Sequence, residues 1–183
     1  MRVSLKTVPH IANKIAIDLS KSGIATMTKG IESVAREAEK ILHASVKQEM
    51  ALEERVNEIV DANEEQIEFY LADGRQLFYM IKKKLAPEYG VILNYEERYS
   101  DIAHKILDEL YEEDLIHFEV AENRIKNVIY NSMTSFIADN NEIEKAVREK
   151  ISSYKRNIIP GTDDYEILYE KLFHEEIQKR GMA

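Results

Sequence analysis

The chain has no cysteine, only three prolines and only six glycines in 183 residues. Without cysteine there is no disulfide framework, no thiolate zinc site and no cysteine nucleophile. With so few turn formers, a sandwich or barrel of many short strands is excluded. Neither G-x-G-x-x-G nor G-x-x-x-x-G-K-[ST] occurs, which removes the Gly-rich phosphate loops, and no G-x-S-x-G nucleophile elbow is present. No apolar run is long enough to span a bilayer. The first residues show neither the continuous apolar stretch nor the small-residue cleavage site of a signal peptide. The expected location is cytoplasmic, with no membrane partner.

What is present is a strongly charged, moderately apolar chain. Charged residues make up 32% and apolar residues 44%, with 34 acids against 25 bases and a net charge of −9. This is the composition of a globular protein rather than a disordered one. The net charge argues against a surface given over to nucleic acid and leaves room only for a local basic patch.

The chain resembles itself at an offset of 91 residues. Ile11, Ala12, Lys14, Ile15 and Leu19 fall on Ile102, Ala103, Lys105, Ile106 and Leu110; Glu53 and Val56 fall on Glu144 and Val147. The apolar pattern follows the same offset: Val34, Ala38, Leu42 and Val46 meet Ile125, Ile129, Met133 and Ile137. An ungapped offset through several amphipathic segments points to internal duplication. The expected architecture is all-α, with two tandem pseudo-repeats of about four helices each. Repeat 1 would cover 1–90 and repeat 2 100–183, joined by a linker at 91–99 and packed around one core or two.

In each half, spacings of three and four residues mark the helical faces. The first helix carries Ile11, Ile15 and Leu19 and should stop at Gly23 in a C′ role. Thr28 is the candidate cap of the second helix. The Asp139-Asn140-Asn141 run should break the second half, with a matching break near Lys47–Met50 or, alternatively, one long helix there. The last helix of each half should open with a capping box, at Asp73–Gln76 and at Asp163–Glu166. The runs Ile24–Thr28 and Leu115–Val120 could pair as one short two-stranded element between the halves.

No catalytic constellation stands out. Glu39 and His43, Glu170 and His174, and Asp101, His104 and Asp108 have spacings that share a helical face. No His falls on another His at the 91-residue offset, and in so acidic a chain such pairs arise by chance. No catalytic residue, cofactor or metal ligand is therefore assigned.

The candidate interaction surface is Arg75, Phe78, Tyr79, Lys82, Lys83 and Lys84 in the first half, with Tyr165 and Tyr169 in the second. Aromatic residues and Arg are favoured in interfaces, and Lys beside aromatics can grip phosphates and stack bases. Lys in a last helical turn also complements the negative helix end with no partner at all. Asp108 to Glu122 holds seven acids and no Lys or Arg, so it is either a solvated face or a dock for a basic partner, including the lysines of a second copy. Arg75 opens a helix, where a cation opposes the macrodipole. It should answer to an acid of the preceding helix, such as Glu64, Glu65 or Glu68, or to an anionic partner.

The whole chain resembles the bacterial family known as domain of unknown function 507. The residues that carry the resemblance are Pro9 to Leu19, Lys29 to Ala35, Arg75 to Lys83, Ala103 to Leu110, Ile159 to Thr162 and Arg180 to Met182. The resemblance implies a soluble bacterial helical protein and no activity. The function expected is that of a non-enzymatic interaction or assembly protein with a protein partner, a homodimer included. A nucleic-acid-associated protein using Lys82–Lys84 is the first alternative. An enzyme with an unrecognised site is the second.

Overall fold

The structure, a computed structural model, describes residues 3–63, 74–154 and 159–179. Six helices and one pair of short strands occur among them, in the order α1 (Val8–Lys21), β1 (Thr26–Met27), α2 (Ile31–Asp61), α3 (Gly74–Leu85), α4 (Tyr95–Glu112), β2 (Ile116–His117), α5 (Glu122–Ser152) and α6 (Asp163–Lys179). The fold is all-α with one small antiparallel pairing, in which Thr26 faces His117 and Met27 faces Ile116.

The same order of helix, strand, long helix and helix occurs twice. Each bound of α5 lies 91 residues after the matching bound of α2, and the last residue of α4 lies 91 after the last of α1. The two left-handed residues that follow those first helices obey the same offset: Gly23 has φ +69° and Asp114 has φ +52°. The apolar positions matched in the sequence are buried in both halves, Val34, Ala38, Leu42 and Val46 as well as Ile125, Ile129, Met133 and Ile137.

Each half has three described helices rather than four. The expected break at Asp139–Asn141 is absent, because α5 runs through it. Asn and Asp cost a helix only about 0.7 kcal/mol each against Ala, whereas burying one Ile or Met contributes about 1.5–3 kcal/mol. The apolar stripe on either side of Asn140, from Phe136 and Ile137 to Ile143 and Val147, therefore outweighs the local preference. Asn140 itself is buried and donates to Glu144 at 3.3 Å, while its Oδ1 has no hydrogen-bond partner. In the first half α2 likewise continues past Met50, the single-helix alternative.

Several caps differ from expectation. Gly30, not Thr28, is the residue before α2. Thr28 instead joins the strand region: its hydroxyl donates to the Asp114 carbonyl, and its amide to Leu115 O at 3.1 Å. Thr162, one residue before the expected Asp163, caps α6 by accepting from the Tyr165 amide at 3.4 Å. Asn94 caps α4, its Oδ1 accepting from the amides of Glu96 and Glu97. Asp73 and Gly181 lie outside the described residues.

The chain divides into two compact units, Met1–Thr134 and Ser135–Ala183. The division falls within α5, not at the 91–99 stretch expected as a linker, where Tyr95–Tyr99 already forms the first turn of α4 and Val91 is buried. In the first unit α1 packs along α2, and both α3 and α4 pack on α2. In the second, Ile143, Val147 and Ile151 of α5 form a core with Leu172 and Ile177 of α6.

Candidate functional site

The α3 helix has two unlike sides. Phe78, Ile81 and Leu85 pack with Val60 and Tyr89 against Leu52, Val56, Ala86 and Val91, which fixes α3 to the second half of α2. On the other side Tyr79 and Met80 are 68% and 69% exposed, with Arg75, Gln76, Lys83 and Lys84 also exposed. Spacings of three and four put Gln76, Met80 and Lys84 in one row and Tyr79 and Lys83 in the next. Phe78 meets Tyr79 edge to face at 5.7 Å, so the half-buried ring steadies the exposed one.

Lys82 does not belong to that outer face. Its side chain is only 12% exposed, and its ammonium lies 2.8 Å from Glu53 Oε1 and 3.6 Å from Glu49 Oε1. Glu49 in turn accepts from Arg98 Nη1 at 2.6 Å. Arg98 also donates from Nη2 to the Ser45 carbonyl at 2.8 Å and to its hydroxyl at 3.1 Å. The result is an alternating row, Arg98–Glu49–Lys82–Glu53, in which α2 supplies both acids while α4 and α3 supply one base each. Charges withdrawn from water cost several kcal/mol apiece unless paired and hydrogen-bonded. This row meets that condition, so its first effect is to tie three helices together.

Beside this row, α2 and α4 border a cleft of about 430 Å³. Its floor is buried: Ile102, Val91 and the stem of Arg98, with Ile41 and Ile92 half-covered. Its outer edge is acidic, from Asp101, Asp108, Glu109 and Glu112 of α4. Lys105 on the same edge pairs with Asp101 at 2.8 Å. Farther along α4, Asp108, Glu109 and Glu112 form a negative run, in which Asp108 lies 3.5 Å from His104. Tyr99 packs near the floor, and burial pushes its phenol pKa well above the ordinary value.

The sequence-level candidates thus separate. Arg75, Tyr79, Lys83 and Lys84 share the outer face of α3; Phe78 faces the core and Lys82 the buried row. Tyr165 and Tyr169 belong to the second compact unit. There Tyr165, Tyr169 and Phe173 stack along α6, with centroids 6.0 and 5.9 Å apart, against the Ile143 core. Burial raises the Tyr169 pKa. Lys150, hydrogen-bonded to Glu176 at 2.7 Å, ties α5 to α6 and has a raised pKa, chiefly through that bond. Glu64, Glu65 and Glu68, the expected partners of Arg75, lie outside the described residues.

Glu49, Ser45, Met80 and the cleft were not singled out by sequence reasoning, in which Arg98 figures only as a linker residue of the basic cluster with Arg75 and Lys82–Lys84. Glu49 did leave a signal: it interrupts the apolar stripe Leu42, Val46, Leu52, Val56 at a position that ought to be buried. Nothing in the sequence pointed Arg98 to Glu49, since the two are 49 residues apart and on different helices. The histidine pairs hold no metal cluster: among the described residues no three of His, Asp and Glu gather as a metal site would need. His104 and Asp108 approach to 3.5 Å on an exposed face. No described helix is long and apolar enough to cross a membrane.

A family model described as Protein of unknown function (DUF507) matches residues 1–182, and the chain belongs to that family. No curated protein matches the chain.

Proposed function

We propose that this is a non-enzymatic cytoplasmic interaction or assembly protein, and that the outer face of α3 is the surface it presents to a protein partner. The observation that carries this reading is the pair Tyr79 and Met80. Two adjacent large apolar side chains stand more than two-thirds exposed on a helix whose opposite side is anchored by a core and by the buried Lys82 pair. An anchored helix presents its anchors without having to order them on binding, which lowers the entropic cost of association. Lys83 and Lys84, at the end of the same rows, add steering toward an acidic partner.

Withdrawal of Lys82 into the acids of α2 weakens the nucleic-acid alternative, because the three-lysine cluster is reduced on the surface to Lys83 and Lys84. The test places a photo-cross-linking side chain at position 79 and, as a control, at exposed position 167, in cells. Discrete protein adducts at 79, lost in the Lys83→Glu/Lys84→Glu variant and absent at 167, are the expected result. Adducts to RNA or DNA would move the function to the nucleic-acid alternative. No adduct above the position-167 control would sink both.

A further inference from the structure

The face of α3 and the cleft between α2 and α4 are complementary in kind. One is a projecting pair of apolar side chains, Tyr79 and Met80, followed by two lysines. The other is a recess with an apolar floor followed by three acids. We infer that they meet between two copies of this chain, α3 of each seating Tyr79 and Met80 in the α2–α4 cleft of the other, with Lys83 and Lys84 against Asp108, Glu109 and Glu112. This rests on the reading of α3 as the interaction surface and names its partner.

Three observations select a second copy. The first is charge: the cleft edge is negative after Lys105 is spent on Asp101, and the α3 face is positive even with Lys82 withdrawn. The second is spacing. At 1.5 Å per residue, Met80 to Lys84 covers about 6 Å along α3, and Ile102 to Asp108 about 9 Å along α4. The flexible lysine stem spans the difference. The third is that both surfaces belong to the same compact unit, Met1–Thr134. A two-fold pairing can therefore engage both at once and close, as an isologous dimer does. An amphipathic helix laid in an apolar groove is a recurrent mode of recognition, and α3 offers Tyr79 and Met80 for it.

The experiment is a charge-swap pair read by size-exclusion with light scattering at tens of micromolar. The wild-type chain should give the mass of a dimer. Lys83→Glu/Lys84→Glu and Asp108→Lys/Glu112→Lys should each give the monomer mass with unchanged helical circular dichroism. An equimolar mixture of the two should return to the dimer mass, since one swapped and one native contact are then both complementary. Should either swapped chain lose its helical signal, Lys83→Gln/Lys84→Gln and Asp108→Asn/Glu112→Gln replace them, each expected to raise the dimer dissociation constant at least tenfold. A monomeric or open-ended wild type, a swap variant that stays dimeric, or a mixture that stays monomeric overturns the inference. A monomeric wild type that still yields protein adducts from position 79 would leave the interaction reading standing and overturn only the second copy as its partner.

Discussion

Arg98 Nη1 donates to Glu49 Oε2 at 2.6 Å, and the two residues are only 6% and 3% exposed. A charged pair this deep is a registration device: Arg98 fits only where Ser45 and Glu49, one turn apart on α2, present their oxygens together. It sets where α4 lies on α2, and with that the width of the cleft.

Breaking the pair from one side should be far worse than removing it. Arg98→Met leaves Glu49 buried with only Lys82 near it and is expected to cost about 3 kcal/mol. Glu49→Leu, which leaves a buried guanidinium, should cost at least as much. The double variant should lie within about 1 kcal/mol of wild type. Urea unfolding of the four proteins gives the coupling directly, and additive single effects would refute the buried pair.

The three lysines of α3 should behave differently in spite of being neighbours. Lys82→Met strips Glu53 and Glu49 of a half-buried cation and should lower stability by about 1–2 kcal/mol. Lys83→Met and Lys84→Met should stay within about 0.5 kcal/mol of wild type, as exposed substitutions do. Equal losses at all three positions would contradict the inward placement of Lys82.

Gly23 and Asp114 end corresponding helices with a left-handed residue, but only one of them is glycine. No atom lies within 4 Å of a Cβ built at Gly23, so the cost of Gly23→Ala is purely conformational, about 1 kcal/mol. Asp114→Gly should act in the opposite sense, by about 0.5 kcal/mol, since its main role, offering its carbonyl to Thr28, needs no side chain. Thermal melting of both variants settles the signs; a neutral Gly23→Ala would show that the turn can relax.

Alkaline pH should unfold the chain in a way that Tyr99 makes steeper. Its folded pKa is raised, mainly by burial, with the nearby Arg98 opposing. The neutral phenol is the form the fold accommodates. Its contribution is therefore complete below the unfolded value of about 10 and is lost as pH climbs above it, at up to about 1.4 kcal/mol per pH unit. Tyr99→Phe should flatten the stability curve above pH 10 and leave its shape below pH 9 unaltered. An unchanged alkaline slope would count against a buried phenol.

Much of this protein was legible from the sequence because helices and their caps are local. The 3.6-residue stripe located α1, α2, α4 and α5, Gly23 stopped α1 where a left-handed residue was needed, and the two extended runs that pair as β1 and β2 were marked. The bounds of α2 and α5 follow the 91-residue offset of the apolar pattern, although that pattern reads as two helices in each half. Where local preference and burial pulled apart, the sequence misled: Asp139-Asn140-Asn141 reads as a break, yet the apolar residues on both sides hold one continuous helix. What only the tertiary structure decided is which charges face inward. Lys82, Lys83 and Lys84 are identical in sequence terms, and a rotation of about 100° per residue around α3 is all that turns the first toward Glu53 and leaves the others in solvent. Glu49 and Arg98, 49 residues apart, become partners only when α4 lies on α2, because pairing two buried charges depends on distance in space and not on any pattern along the chain.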